Sequence, residues 1–167
     1  MSWNYYKVLR FLKPVLKFIW GKAPEGQKMY WKVQKVVETA KLPEKAHWND
    51  AGWDLFAAED VDIPYGEVRK VRTGIKGQLP AGHFAMLRDR SSIGSKGVIV
   101  TAGIIDEGFR SEILICMLNL CKNCTTYSIK AGDKIAQALI LPVPTIVIVE
   151  GSLDDSERGE KGFGSSG

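Results

Sequence analysis

Five segments of this chain carry residue types suited to holding phosphate and a flat, polar ring, and each is richer in glycine or charge than a core strand would be. They are Ala51-Gly-Trp-Asp-Leu-Phe-Ala57, Asp89-Arg-Ser-Ser-Ile-Gly-Ser-Lys96, Ala102-Gly-Ile-Ile-Asp-Glu-Gly-Phe-Arg-Ser-Glu112, Gly132-Asp-Lys-Ile-Ala-Gln137 and Arg158-Gly-Glu-Lys-Gly-Phe-Gly-Ser-Ser-Gly167. In the last, Arg158 can pair with phosphate and Phe163 can stack on a base. Gly164 and its fellow glycines let backbone N–H groups approach anionic oxygens, and Ser165 and Ser166 add donors. Read alone, this stretch serves equally well as a mobile, glycine-rich end. In the second segment, the rigid guanidinium fork of Arg90 and the hydroxyls of Ser91 and Ser92 suit phosphate oxygens. By itself that segment reads as a turn with a surface salt bridge. Asp106 is a carboxylate of the kind that activates water, or a plain turn residue.

These segments need a frame. The chain has 167 residues and 45% hydrophobic content, enough for one domain with a true core plus an appendage. Apolar runs recur at Tyr30–Val37, Val68–Ile75, His83–Leu87, Val98–Thr101, Glu112–Leu120, Ile135–Leu141 and Ile146–Val149, separated by Gly, Pro and Asp. No long helical pattern competes from residue 30 onward. Many short strands at such spacing predict an all-β sandwich or barrel. Residues 29–150 are read as this β domain and 151–167 as a linker-like, flexible tail. Residues 2–22 have the spacing of a basic amphipathic helix, with Val8, Leu12, Val15 and Ile19 on one face and a break at Pro14. Met29 directly precedes the first strand-like run and is an alternative start.

Charge divides along the same boundary. The formal net charge is +4, yet residues 1–28 hold six Lys/Arg against one Glu, and the remainder holds 17 against 18. A near-neutral body excludes general nucleic-acid binding, so no specific nucleic-acid partner is expected. The basic arm, residues 1–28, is the surface on offer to a membrane or another protein, and its apolar run is too short and charged to span a bilayer. Cys121-x-x-Cys124 has the spacing of a metal or redox pair. A closed zinc site needs four ligands, and His47 and His83 lie far off in sequence, so reduced thiols in a cytoplasmic protein are expected.

The five segments, in this order, resemble the motifs of the trimeric dUTP pyrophosphatases (dUTPases) over roughly residues 30–167. The resemblance implies a jelly-roll-like β fold, a homotrimer whose sites draw on different subunits, and magnesium-dependent hydrolysis of dUTP to dUMP and pyrophosphate. It implies that Arg90, Ser91, Ser92, Lys96 and Gln137 meet the phosphates. Main-chain groups of Gly103, Ile104 and Ile105 would bind uracil, and Phe109, where tyrosine is usual, would pack on the deoxyribose. Asp106 matches the carboxylate that deprotonates the attacking water. Arg158, Phe163, Gly164, Ser165 and Ser166 would close over the substrate, and Asp54 would help hold Mg2+ through water. Asp133 is expected to support a turn. A deaminase of dCTP shares some of these motifs but requires a glutamate on the strand after the shared aspartate, where this chain has Cys116. A regulatory binding protein on the same fold is the other alternative, since fold does not fix function.

Overall fold

The computed structural model describes residues 29–156 and Gly159. The helix expected over residues 2–22 and the tail residues Arg158, Phe163, Gly164, Ser165 and Ser166 lie outside the described residues.

Among the described residues, eleven strands and a single helical turn alternate with short loops. The strands are β1 (Lys32–Lys35), β2 (Trp53–Phe56), β3 (Val61–Pro64), β4 (Val68–Arg72), β5 (Ile75–Gln78), β6 (His83–Arg88), β7 (Val98–Ala102), β8 (Ile104–Ile105), β9 (Leu114–Asn119), β10 (Thr126–Ile129) and β11 (Lys134–Pro142). The helical turn α1 (Ser91–Gly94) falls between β6 and β7. The strands pair in the orders β2-β11-β6-β8, β4-β9-β7, β1-β5 and β10-β3. All pairings are antiparallel. The all-β expectation holds.

The strands form because their apolar residues alternate. In β9, Ile115, Met117 and Asn119 point inward and the residues between them outward. In β6, Ala85 and Leu87 do the same. β11 breaks the alternation at its start, where Ile135 and Ala136 are both buried, and its pairing with β2 shifts register there. That shift is the extra residue of a bulge. The core gathers Leu55, Ile63, Val71, Ile75, Val98, Ile115, Met117, Ile129 and Ile135, each buried. Each such side chain contributes roughly 1.5–3 kcal/mol on leaving water.

Several expected strands differ in extent. The run 68–75 is strand only as β4 and the first residue of β5, which continues to Gln78; it breaks at Thr73-Gly74, where Gly74 takes φ +67° against Val37, Ala40 and Ala58 and the Thr73 hydroxyl donates to the Ile113 carbonyl at 2.6 Å. In the run 30–37, only Lys32–Lys35 is strand. Ile146–Val149 forms no strand and is 73–96% exposed. A strand requires a partner, and among the described residues nothing pairs with this one. β2, β3, β8 and β10 were not foreseen: β2 and β8 lie within polar motifs, and β3 and β10 are short. Nor are the thiols of the C-x-x-C pair reduced: Cys121 and Cys124 are bonded to each other, leaving Cys116 free. A single turn of loop brings their Cα atoms to 5.6 Å, inside the span a disulfide bridges.

Asn119 ends β9 and ties three segments together. It is fully buried, donates from Nδ2 to the Ile63 carbonyl at 2.8 Å, and accepts from the Cys121 N–H at 2.9 Å through Oδ1. Both partners would be stranded by truncation. Asn119→Ala is therefore expected to lower stability by about 2–4 kcal/mol in urea unfolding. A loss below about 0.5 kcal/mol would mean that water replaces both bonds.

Candidate active site

Asp54 organises one end of the four-stranded sheet. It lies on β2, opposite Gln137 of β11, which in turn lies opposite Arg88 of β6. β6 then delivers Asp89 and Arg90 into the loop before α1. The Asp54 Oδ1 accepts from Arg90 Nε at 2.8 Å, and its Oδ2 accepts from Lys134 Nζ at 2.9 Å. Lys134 also reaches Glu44 at 3.0 Å. The two carboxylates raise the Lys134 pKa above its ordinary value, the Asp54 hydrogen bond foremost. With Nε engaged, Nη1 of Arg90 donates to the Ser92 hydroxyl at 3.3 Å. The guanidinium is thus oriented from below while staying partly open to solvent.

Gln137 is positioned with equal care. Its Nε2 donates to the Asp89 carbonyl at 3.0 Å, and its Oε1 sits 2.5 Å from where a Cβ on Gly52 would be. Any larger residue at 52 would push Gln137 aside. Two recesses open beside Arg90. One, of about 270 Å³, is lined by Gly52, Asp54, Arg90, Ser91 and Gln137. The other, of about 310 Å³, is lined by Arg90, Ser92, Lys96, Tyr127, Asp133 and Lys134. Desolvation, with help from Asp133, raises the Tyr127 phenol above its usual pKa. Asp133 also accepts from the Lys130 N–H at 2.9 Å, which is the turn-supporting place expected for it.

Here Asp54, Arg90, Ser91, Ser92, Lys96 and Gln137 come together. Lys134 and Tyr127 join them without having been singled out in the sequence. Lys134 is inside the fourth polar segment and could have been recognised as a cation facing a lone carboxylate. Nothing near Tyr127 in sequence signals its place.

The Gly103–Phe109 hairpin lies elsewhere. β8 pairs with the first half of β6, Ile104 opposite Met86 and Ile105 opposite Ala85. Gly103 starts it, with its carbonyl 2.6 Å from the Leu87 N–H and no room for a Cβ against the Leu87 carbonyl. Asp106 follows one position beyond the Ile105–Ala85 pair, on an exposed turn closed by the Phe109 N–H donating to the Asp106 carbonyl at 3.1 Å. Arg110 Nη1 braces that turn through the Glu107 and Phe109 carbonyls. Glu112 anchors its far side, accepting from Arg72 and from the Gly74 N–H at 2.9 Å. From the level of Asp106 to Arg88 is about four strand residues, or about 13 Å, and Arg90 is further on. One chain therefore does not bring Asp106 and Phe109 up to Arg90. Among the described residues β8 is also the end strand of its sheet, with no strand partner on one edge of its backbone.

Among the described residues, no three His, Cys, Asp or Glu side chains cluster to hold a metal. No helix of the described residues is long and apolar enough to cross a membrane.

Comparison with known proteins places this geometry. The dUTPase family profile matches residues 38–167. A deoxyuridine 5'-triphosphate nucleotidohydrolase of Solibacter usitatus is 41% identical over 145 residues, 84% of this chain and 97% of that protein. Another, of Clostridioides difficile, is 43% identical over 140 residues, 81% of this chain and 96% of that protein. Among solved structures, the Staphylococcus bacteriophage 80alpha dUTPase with dUPNHPP superposes with a TM-score of 0.75 at 31% identity, covering 83% of this chain and 98% of that one. A mutant dUTPase of phage phi11 of S. aureus, described as coordinating a structural Mg(II) ion, gives 0.69 at 27% identity, covering 74% of this chain and 97% of that one. A profile spanning most of the chain, relatives matched almost end to end and a shared fold together establish that this chain belongs to the dUTPase family.

Proposed function

We propose that this protein is a dUTP diphosphatase that hydrolyses dUTP to dUMP and pyrophosphate, at sites composed of residues from more than one copy of the chain. Hydrolysis rests on family membership. The composite site rests on one observation: Asp106 and the hairpin stand away from Arg90 within a single chain. A second copy can supply the missing half, and a homotrimer closes such head-to-tail contacts into a ring. The exposed apolar run Ile146–Val149 supports the same reading, because four such residues in water call for a covering surface. The division into an arm at 1–28, a β domain at 29–150 and a tail at 151–167, and a cytoplasmic location, belong to this proposal.

The proposed mechanism gives each residue the role that the family resemblance implies. Triphosphate enters beside Arg90, whose fork Asp54 holds open, with Ser91, Ser92, Lys96 and Gln137 around it. The free backbone edge of Gly103–Ile105 reads uracil by its donor and acceptor pattern, which cytosine mismatches, and the tight hairpin excludes a thymine methyl. Phe109 packs on deoxyribose and disfavours a 2′-hydroxyl. Asp106 takes a proton from water as that water attacks the α-phosphorus in line, and pyrophosphate leaves. Arg90 and Arg158 offset the phosphate charge, while Phe163 stacks on the base and Gly164, Ser165 and Ser166 close over the phosphates.

Magnesium fits the donor set in one manner. Among the described residues there is no protein cage, but Mg2+ binds chiefly through substrate phosphates and keeps its waters, so Asp54, with lone pairs to spare, would hold it through water. When bound, it supplies charge neutralisation on the triphosphate.

Pyrophosphate release from dUTP, dCTP, dTTP and UTP, with magnesium and with a chelator, tests the whole reading. Strong magnesium-dependent preference for dUTP is expected, and hydrolysis of none of the four by folded protein would overturn it. Asp106→Asn is expected to lower kcat by about 10²–10⁴ while melting temperature and oligomeric state stay unchanged. Near-normal kcat would remove Asp106 from the base's role. Gly52→Ala displaces Gln137 and, with it, the Asp89-Arg90 loop. It should cost about ten- to a hundredfold in kcat/KM, the effect of a misplacement near 1 Å. Unchanged kinetics would mean that Gln137 has another rotamer at no loss.

A further inference from the structure

The disulfide takes no part in the chemistry above. Cys121 and Cys124 sit in the loop joining β9 to β10, both half-buried, with exposed Lys122 and Asn123 between them. A metal does not account for the pair, since no third ligand lies near it among the described residues. Stability accounts for it poorly, because the restraint a crosslink imposes on the unfolded chain falls as its loop shortens, and this loop has two residues inside it. A partly exposed, short-range C-x-x-C bond is the type that exchanges with external thiols.

Its position gives such exchange a consequence, because both ends of the loop run to the phosphate cradle. On one side, the Leu120 N–H donates to the Gly97 carbonyl at 2.8 Å, and the Gly97 N–H donates to the Gly94 carbonyl at 2.9 Å, at the end of α1. Gly97 holds φ +86°, and a Cβ there would lie 2.8 Å from the Leu120 carbonyl oxygen, so the two segments are closely fitted. On the other side, three residues past Cys124, Tyr127 lines the recess with Arg90 and Ser92 and lies 6.0 Å from Lys96 Nζ. Asn119 pins the Cys121 end. Between Ser95–Gly97 and Leu120–Asn123 a recess of about 520 Å³ gives the loop room to change shape.

We propose that Cys121–Cys124 is a reversible dithiol–disulfide site, exchanged with a protein dithiol, whose state sets the affinity of the adjacent cradle for phosphate. The proposal rests on the cradle reading given above. A thiolate of the reductant attacks one sulfur, breaks the S–S bond and forms a mixed disulfide. The reductant's second thiolate then displaces the cysteine. Two electrons pass to Cys121 and Cys124, which each gain a proton, and the reductant leaves as a disulfide.

The test uses the full chain, oxidised with oxidised glutathione or reduced with dithiothreitol, then freed of reagent. Denatured samples are labelled with N-ethylmaleimide and weighed, and tripolyphosphate is titrated calorimetrically into native ones. Oxidised protein should take one label, on Cys116, and reduced protein three, with a change of about fivefold or more in tripolyphosphate Kd between them. The variant with Cys121→Ser and Cys124→Ser should show one Kd, the reduced protein's, under both treatments. Three labels after oxidation, or one after reduction, would overturn the exchange. Equal Kd in both states would overturn the coupling alone. Tripolyphosphate binding to neither state would overturn the cradle reading along with it.

Discussion

The carboxylate of Asp54, held between Arg90 and Lys134, is the constraint on which the candidate site depends. It joins β2, β11 and the loop after β6 through two charge-assisted bonds, with only 14% of its side chain exposed. A charge so placed is tolerated because both oxygens are satisfied; removing either cation would leave it short of a partner in a partly dry setting. The arrangement also fixes what Arg90 can do. Its Nε faces inward to Asp54, so the outer edge of the fork is what remains for an incoming anion. Lys134 carries the pH dependence. Its folded pKa is raised, so its contribution is complete below the ordinary lysine value of 10.5 and fades as pH rises through the elevated one.

Much of this was legible in the sequence, and the reasons for the rest are physical. The core strands β6, β9 and β11 announced themselves because alternation of buried and exposed residues is written into their composition. β2 and β8 did not, since Asp54 interrupts the apolar pattern of the one and the other is only two residues long. The residues that gather at Arg90 were identified by type and order, through a family resemblance rather than from spacing alone. Tyr127 escaped because it is adjacent to the others only in the folded chain, and Lys134 because its partner Asp54 lies eighty residues away in sequence. Reduced thiols are the expectation for a cytoplasmic chain, and that expectation says nothing about two sulfurs that one turn of loop places side by side.

Ile146–Val149 shows another limit. Its hydrophobicity was read as a strand, but whether such a run is a strand depends on a partner, which a single chain need not contain. The same holds for the hairpin. Gly103 fits against Leu87 so closely that no side chain is admitted, which fixes the hairpin to β6 and to a level about 13 Å or more from Arg90. Tight packing inside the chain thereby keeps the hairpin and the Arg90 loop apart.

Under the composite-site proposal, this separation has a chemical logic. A carboxylate that must accept a proton from water works best where bulk water is excluded, yet Asp106 stands on an exposed turn. Burying it within one chain would demand partners for its charge in every state of the protein, and those partners would compete with the water it must activate. Placing it at a surface that a second copy covers avoids the conflict. The turn is braced from behind, by Arg110 on its carbonyls and by Glu112 on Arg72 and Gly74, so its shape does not depend on assembly. On that proposal, assembly brings the hairpin of one copy to the Arg90 cradle of another, in a dry enclosure where one carboxylate and one arginine fork can act on the same triphosphate.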